Sequence, residues 1–168
     1  MPPGGGAGGG GAGGPAGAGR VLAVDWGERR IGLALSDPTR LIAQPLLTLT
    51  RRSNHRPPVG DIVAQIERHE VGLVVVGLPL DPEGAEREAA REARSLGEAV
   101  ARRSGVSVTY WDERLSTAAA LRSARAAGVR DRDSRARIDQ MAAVAILQHW
   151  LDAMKAGGPG AGGPGGPA

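Results

Sequence analysis

Short apolar runs and longer amphipathic stretches alternate along the middle of the chain. Residues 20–25 end in Val21-Leu22-Ala23-Val24-Asp25, and residues 31–36 open with Ile31-Gly32-Leu33-Ala34-Leu35. The glycine turn between them predicts a hairpin. Asp37-Pro38-Thr39-Arg40 reads as a turn, and residues 41–49 as a third strand that Pro45 assigns to an edge or a bulge. After a loop over residues 51–58, Asp61 is placed to cap a helix whose Ile62, Val63 and Ile66 share a face. Residues 72–77 are continuously apolar and β-branched, as a central strand covered on both faces requires. Over residues 84–104, Ala85, Ala89, Ala93, Leu96 and Val100 recur between Glu and Arg, which predicts a surface helix. A fifth strand follows over residues 106–111. Ser116 opens a helix to about residue 127, stopped by Gly128. The last helix is expected to begin between Asp133 and Asp139 and to reach Lys155, apolar nearly all round and so largely buried. The order βββαβαβαα predicts an α/β fold, a mixed five-stranded sheet with helices on both faces.

Composition trims this picture at both ends. Residues 1–19 and 156–168 hold only Gly, Ala and Pro apart from Met1, and carry 18 of the 27 glycines. With nothing to bury they read as disordered tails flanking one domain over residues 20–155. The first tail lacks the basic and apolar regions of a secretory signal. No apolar run approaches the roughly 18 residues of a membrane span. There is no cysteine, so disulfides, thiolate metal sites and a cysteine nucleophile are excluded. These features predict a cytoplasmic protein. The net charge is +3, and of 21 basic residues only Lys155 is not arginine. Arginine forks suit phosphate, while a GC-rich coding bias, which the Gly, Ala and Pro abundance also suggests, would favour the same residue.

Candidate chemistry lies where apolar runs end. Asp25 closes the first run and is followed by Trp26-Gly27-Glu28-Arg29-Arg30. It is either a turn former or an oxygen ligand presented by a sheet to a metal or phosphate. Gly77-Leu78-Pro79-Leu80, with Gly84, forms a loop after the fourth strand. The fifth strand leads into Trp111-Asp112-Glu113-Arg114-Leu115-Ser116-Thr117, and the last helix carries Asp139-Gln140-Met141-Ala142-Ala143. With Ala43-Gln44-Pro45, these motifs, in this order over residues 20–152, resemble the YqgF/RuvX family of Holliday-junction resolvases and pre-16S ribosomal RNA nucleases.

The resemblance implies a ribonuclease H-like fold with strand order 3-2-1-4-5. It also implies that Asp25, Glu113 and Asp139 are the catalytic carboxylates and the ligands of Mg²⁺ or Mn²⁺. Alternation along a strand does not decide between Asp112 and Glu113; only the resemblance selects Glu113. Asp139, taken alone, reads first as a helix-start acid complementing the dipole. The chain departs from the family in its tails, and in carrying Arg135 and Arg137 where the family often has lysine.

Two magnesium ions about 3.5–4 Å apart can activate water, stabilise the leaving oxygen and neutralise phosphorus-bound charge in phosphodiester hydrolysis. Three carboxylates supply the hard oxygens that such ions take. Arg30, Arg114 and Ser116 near these acids are candidate substrate contacts, Ser116 being equally a helix cap. Arg135 and Arg137 belong to a basic stretch with Arg122, Arg125, Arg130 and Arg132. A second basic loop holds Arg51, Arg52 and Arg56. Both suit a nucleic-acid backbone. Four aromatic residues do not make an extended base-stacking platform.

The expected function is therefore a metal-dependent endonuclease acting on structured nucleic acid, foremost the 5′ end of pre-16S ribosomal RNA. Such an enzyme would meet ribosomal particles and no membrane, as a monomer or homodimer. Resolution of branched DNA, an actin-like nucleotide-binding module and a non-catalytic ribosome-assembly factor are the competing readings.

Overall fold

A computed structural model describes residues 19–51, 56–128 and 130–157. The two expected tails, apart from Gly19, Ala156 and Gly157, lie outside the described residues, as does Arg52. Five strands are formed: β1 (Arg20–Asp25), β2 (Arg30–Ser36), β3 (Ala43–Thr50), β4 (Val71–Leu78) and β5 (Ser107–Asp112). The helices among the described residues are α1 (Val59–Arg68), α2 (Glu88–Ser104), α3 (Ala118–Gly128) and α4 (Arg132–Lys155), with a 3₁₀ turn over Glu113–Leu115. The sheet runs β3-β2-β1-β4-β5. The first three strands are antiparallel neighbours, while β4 lies parallel to both β1 and β5. This is the ribonuclease H-like arrangement expected from the order of elements.

Period-two alternation divides the core into two layers. Leu22 and Val24 of β1 face α1 and α2, with Leu33, Val74, Val76, Ile62, Ile66, Ala93, Leu96 and Val100. Val21 and Ala23 face α4 on the other side, with Ala34, Val75, Ala142, Ala143, Ile146, Leu147 and Trp150. Pro45 behaves as expected: β3 is an edge strand, and the β2–β3 register slips beside it, Leu33 facing Leu47 but Ala34 facing Pro45.

Three helix starts differ from the sequence expectation. Pro58, and not Asp61, stands at the N-cap of α1, leaving Asp61 inside the first turn. Helix α2 begins at Glu88, because Asp81 folds the preceding loop by accepting from the Ala85 amide at 2.7 Å, and Gly84 takes a left-handed φ of 85°. Ala85 is therefore exposed. Asp131 starts α4 by accepting from the Ser134 amide at 3.0 Å and its hydroxyl at 2.8 Å. Asp139 is thus two turns inside the helix and cannot be a dipole-complementing first-turn acid. Nor is α4 buried all round. A stripe of Asp139, Ala142, Ala143, Ile146, Leu147, Trp150 and Leu151 is buried, and the first two turns are largely open.

Candidate active site

The sheet fixes where the acids meet. Parallel pairing sets Val24 opposite Val76, and Gly77 and Leu78 opposite Trp111 and Asp112. The C-terminal ends of β1, β4 and β5 therefore open on one side, where ligand crevices of α/β sheets form. Asp25 ends β1, and Glu113 follows β5 on the 3₁₀ turn. Helix α4 crosses β1, β2 and β3 and brings Asp139 alongside, its carbonyl lying over Gly32. All three carboxylates are buried, at 3%, 4% and 2% exposure.

The turn also resolves Asp112 against Glu113. Asp112 accepts from the Arg114 amide at 3.0 Å and is gripped by the Arg114 guanidinium at 2.7 Å. Strand geometry stops there, and Glu113 turns inward. Its Oε2 lies near Gly77, 3.7 Å from where a Cβ would stand, while Ile146 Cδ1 is the atom for which Gly77 leaves room, at 2.5 Å from that position.

Each acid meets an arginine. Arg122 Nη1 donates to Glu113 Oε1 at 2.7 Å, and Arg122 Nη2 contacts Asp25 Oδ1, so one guanidinium spans two carboxylates. Asp139 takes Arg30 Nε on Oδ2 at 2.8 Å and Arg125 Nη1 on Oδ1. Glu113 Oε2 is buried with no hydrogen-bond partner. Burial, reinforced by the Asp112 charge, pushes the Glu113 carboxyl up to about 7. The Arg122 bond favours the ionised form, so burial is the larger effect. Burial likewise lowers the Arg122 guanidinium to about 10, with the neighbouring Arg125 charge acting in the same direction and Asp139 against it.

The donor chemistry suits a hard divalent cation: three buried carboxylates, two of them with an oxygen, Asp25 Oδ1 and Glu113 Oε2, that has no hydrogen-bond partner. The arrangement is closed, however. Among the described residues no three acidic or histidine side chains stand close enough to share one ion, and guanidinium groups lie against the acids.

The remaining candidates divide. Arg30 lies at the site through Asp139. Arg114 is a clasp, joining the turn after β5 to the loop after β4 through the Asp81 and Pro82 carbonyls at 3.3 and 3.1 Å. Ser116 donates to the Glu113 carbonyl at 3.0 Å and accepts from the Ala118 amide at 3.3 Å, tying the turn to α3. Arg135 donates to the Arg130 carbonyl at 2.7 Å, and Arg137 is exposed on the open part of α4. Arg51 lies 5.3 Å over the Trp26 ring and donates to the Glu28 carbonyl at 2.9 Å. Arg122 and Arg125 are the site residues that the sequence places only in a general basic stretch. The readable signal is their i, i+3 spacing on a helix without an acid, which sends both to partners elsewhere.

A family model described as "RuvX: Holliday junction resolvase" matches residues 19–153. The chain belongs to the RuvX family. This RuvX chain is 44% identical over 133 residues to a protein of Anaeromyxobacter sp. (strain Fw109-5) named "Putative pre-16S rRNA nuclease", covering 79% of this chain and 96% of that one. A protein of Mycobacterium sp. (strain KMS) with the same name is 44% identical over 152 residues, 89% of this chain and 90% of its own. One from Mycobacterium tuberculosis (strain ATCC 25177 / H37Ra) is 46% identical over 139 residues, 81% of this chain and 80% of its own. Among solved structures, "T. thermophilus RuvC in complex with Holliday junction substrate" aligns with a TM-score of 0.48 at 21% identity, over 81% of this chain and 95% of that one.

Proposed function

We infer that this RuvX protein is a metal-dependent endonuclease that trims the 5′ end of pre-16S ribosomal RNA in the cytoplasm, with residues 20–155 as its nuclease domain. One observation carries the reading: three acids distant in sequence, Asp25, Glu113 and Asp139, are buried at one cleft at the C-terminal ends of the sheet strands. Relatives that bear the pre-16S nuclease name, and that match across most of their own length, support the substrate.

Asp25, Glu113 and Asp139 would hold Mg²⁺ or Mn²⁺, which supplies charge neutralisation at phosphorus and a water of lowered pKa. The protein's part is placement. The strand ends and α4 fix the three carboxylates, and Gly32 and Gly77 let α4 lie close against the sheet. Burial lowers the dielectric around every charge in it. Arg30 holds the Asp139 carboxylate in orientation. Arg114 and Ser116 brace the turn that presents Glu113. Arg135 and Arg137 lie on the open first turns of α4, where a nucleic-acid backbone approaching the cleft would pass. Ribosomal particles are the expected setting.

The test is Asp25→Asn assayed with Mg²⁺ on precursor RNA. Activity should fall roughly 100-fold or more, the scale of losing one group aimed at developing charge, while the cooperative melt persists. Full activity in the folded variant rejects the site. The family description also favours a second reading, resolution of four-way DNA junctions. Two symmetric cuts need two sites and hence a dimer, so junction cleavage by a dimeric form separates it from RNA trimming by a monomer.

A further inference from the structure

The acids of the cleft already possess their counter-charges. Three carboxylates meet three guanidinium groups, those of Arg30, Arg122 and Arg125, and two of the three arginines belong to α3. Helix α3 packs on α4 and on the turn after β5, but buries little of its own surface. Ala118, its first residue, is its only fully buried side chain among those described; Leu121 is half-buried, and the turns beyond are largely exposed. Arg122 and Arg125 therefore reach the cleft from the part of the helix with least packing behind it. Their positive charges also stand close enough to oppose one another.

Entry of a divalent cation upsets this balance. A site whose carboxylates already face guanidinium groups gains two positive charges in a buried, low-dielectric cleft, and crowding them against those groups is strongly unfavourable. The guanidinium groups must withdraw or meet a new anion. The anion that arrives with the cation is the phosphodiester, whose oxygens suit an arginine fork.

We propose that Arg122 and Arg125 form a built-in counter-ion for the acidic cleft, displaced from the carboxylates by the divalent cation and then taking hold of the substrate phosphate, with α3 as the moving arm. They are positioning residues: carboxylate partners without the cation, phosphate partners with it. The proposal rests on the reading of Asp25, Glu113 and Asp139 as cation ligands.

The experiment is calorimetric titration of Mn²⁺ into the full chain, the Arg122→Gln/Arg125→Gln double variant and Asp25→Asn. Removing the internal competitor should tighten Mn²⁺ binding by about tenfold or more, because the cation no longer has to select a minor open state. The same double variant should bind a structured RNA oligonucleotide more weakly in the presence of Ca²⁺, opposite in direction to its gain for the ion. Unchanged or weaker Mn²⁺ affinity in a folded double variant overturns the displacement, and unchanged RNA affinity overturns the phosphate grip. Asp25→Asn should lose Mn²⁺ binding. If it binds Mn²⁺ as the parent chain does, the carboxylate reading itself fails, which is a different result from failure of the exchange. Should the double variant not fold, hydrogen exchange on the unmodified chain decides: saturating Mg²⁺ should speed exchange over residues 121–128 several-fold. Equal rates with and without Mg²⁺ overturn the proposal.

Discussion

Glu113 gives the site a pH signature. Its carboxyl is raised from an ordinary 4.5 to about 7, first by burial and then by the Asp112 charge. Between those two values the folded protein keeps a proton that the unfolded chain has released. Stability without metal therefore falls as pH rises across that window and levels off above 7. The full cost is on the order of 3 kcal/mol before the Arg122 bond offsets part of it. Glu113→Gln should remove this dependence. Chemical denaturation at about pH 5 and about pH 8 should show the variant gaining on the parent chain at the higher value. A constant difference between the two would refute the burial account. The residue scale is also where the sequence was least legible. Asp112 and Glu113 are equivalent under alternation, and only the 3₁₀ turn, set by Asp112 capping Arg114, sends them to different surroundings. Arg122 and Arg125 read only as part of a basic stretch suited to a nucleic-acid backbone, because their partners lie on β1, α4 and the turn after β5.

Elements were more readable, since each strand is a short apolar run with a clear break on either side. Helix starts were not, for a common reason: they depend on which side chain accepts the first free amides. Asp131 does so for α4 and Asp81 stabilises the loop before α2, both by side-chain contacts that periodicity does not register. The packing of α4 on the sheet leads to a prediction. Gly32 lies beneath the Asp139 carbonyl, and a Cβ there would overlap it. Gly32→Ala should push α4 outward, destabilise the fold by about 1–3 kcal/mol as overpacking does, and lower nuclease activity with it by displacing Asp139. Thermal denaturation beside an activity assay checks this; an unshifted melt would show that α4 has slack. Gly77 is subject to a similar limit, with Ile146 Cδ1 2.5 Å from the position a Cβ would take and Glu113 behind it.

For the molecule as a whole, the order of strands followed from the order of elements once the resemblance to a family was in hand, and the sheet bears it out. Composition alone left the abundance of arginine open between phosphate binding and a coding bias. Of the arginines, Arg30, Arg122 and Arg125 are turned inward on acids, and Arg114 is spent on a clasp. Exposed Arg137 and its neighbour Arg135 are better placed for a long-range footprint. Arg135→Ala with Arg137→Ala should weaken RNA binding for all sequences alike and reduce the slope of log affinity against log salt by about 1–2. Filter binding over a salt series reads this directly, and an unaltered slope would remove both residues from the interface.

The placement of Asp139 on the final helix has a consequence in time. Synthesis runs from the amino end, so β1 and the turn after β5 exist before α4 has left the ribosome. A nascent chain thus carries two of its three acids with no third to complete them. On the proposed function, such a chain stays chemically silent towards ribosomal RNA until it has been almost wholly translated.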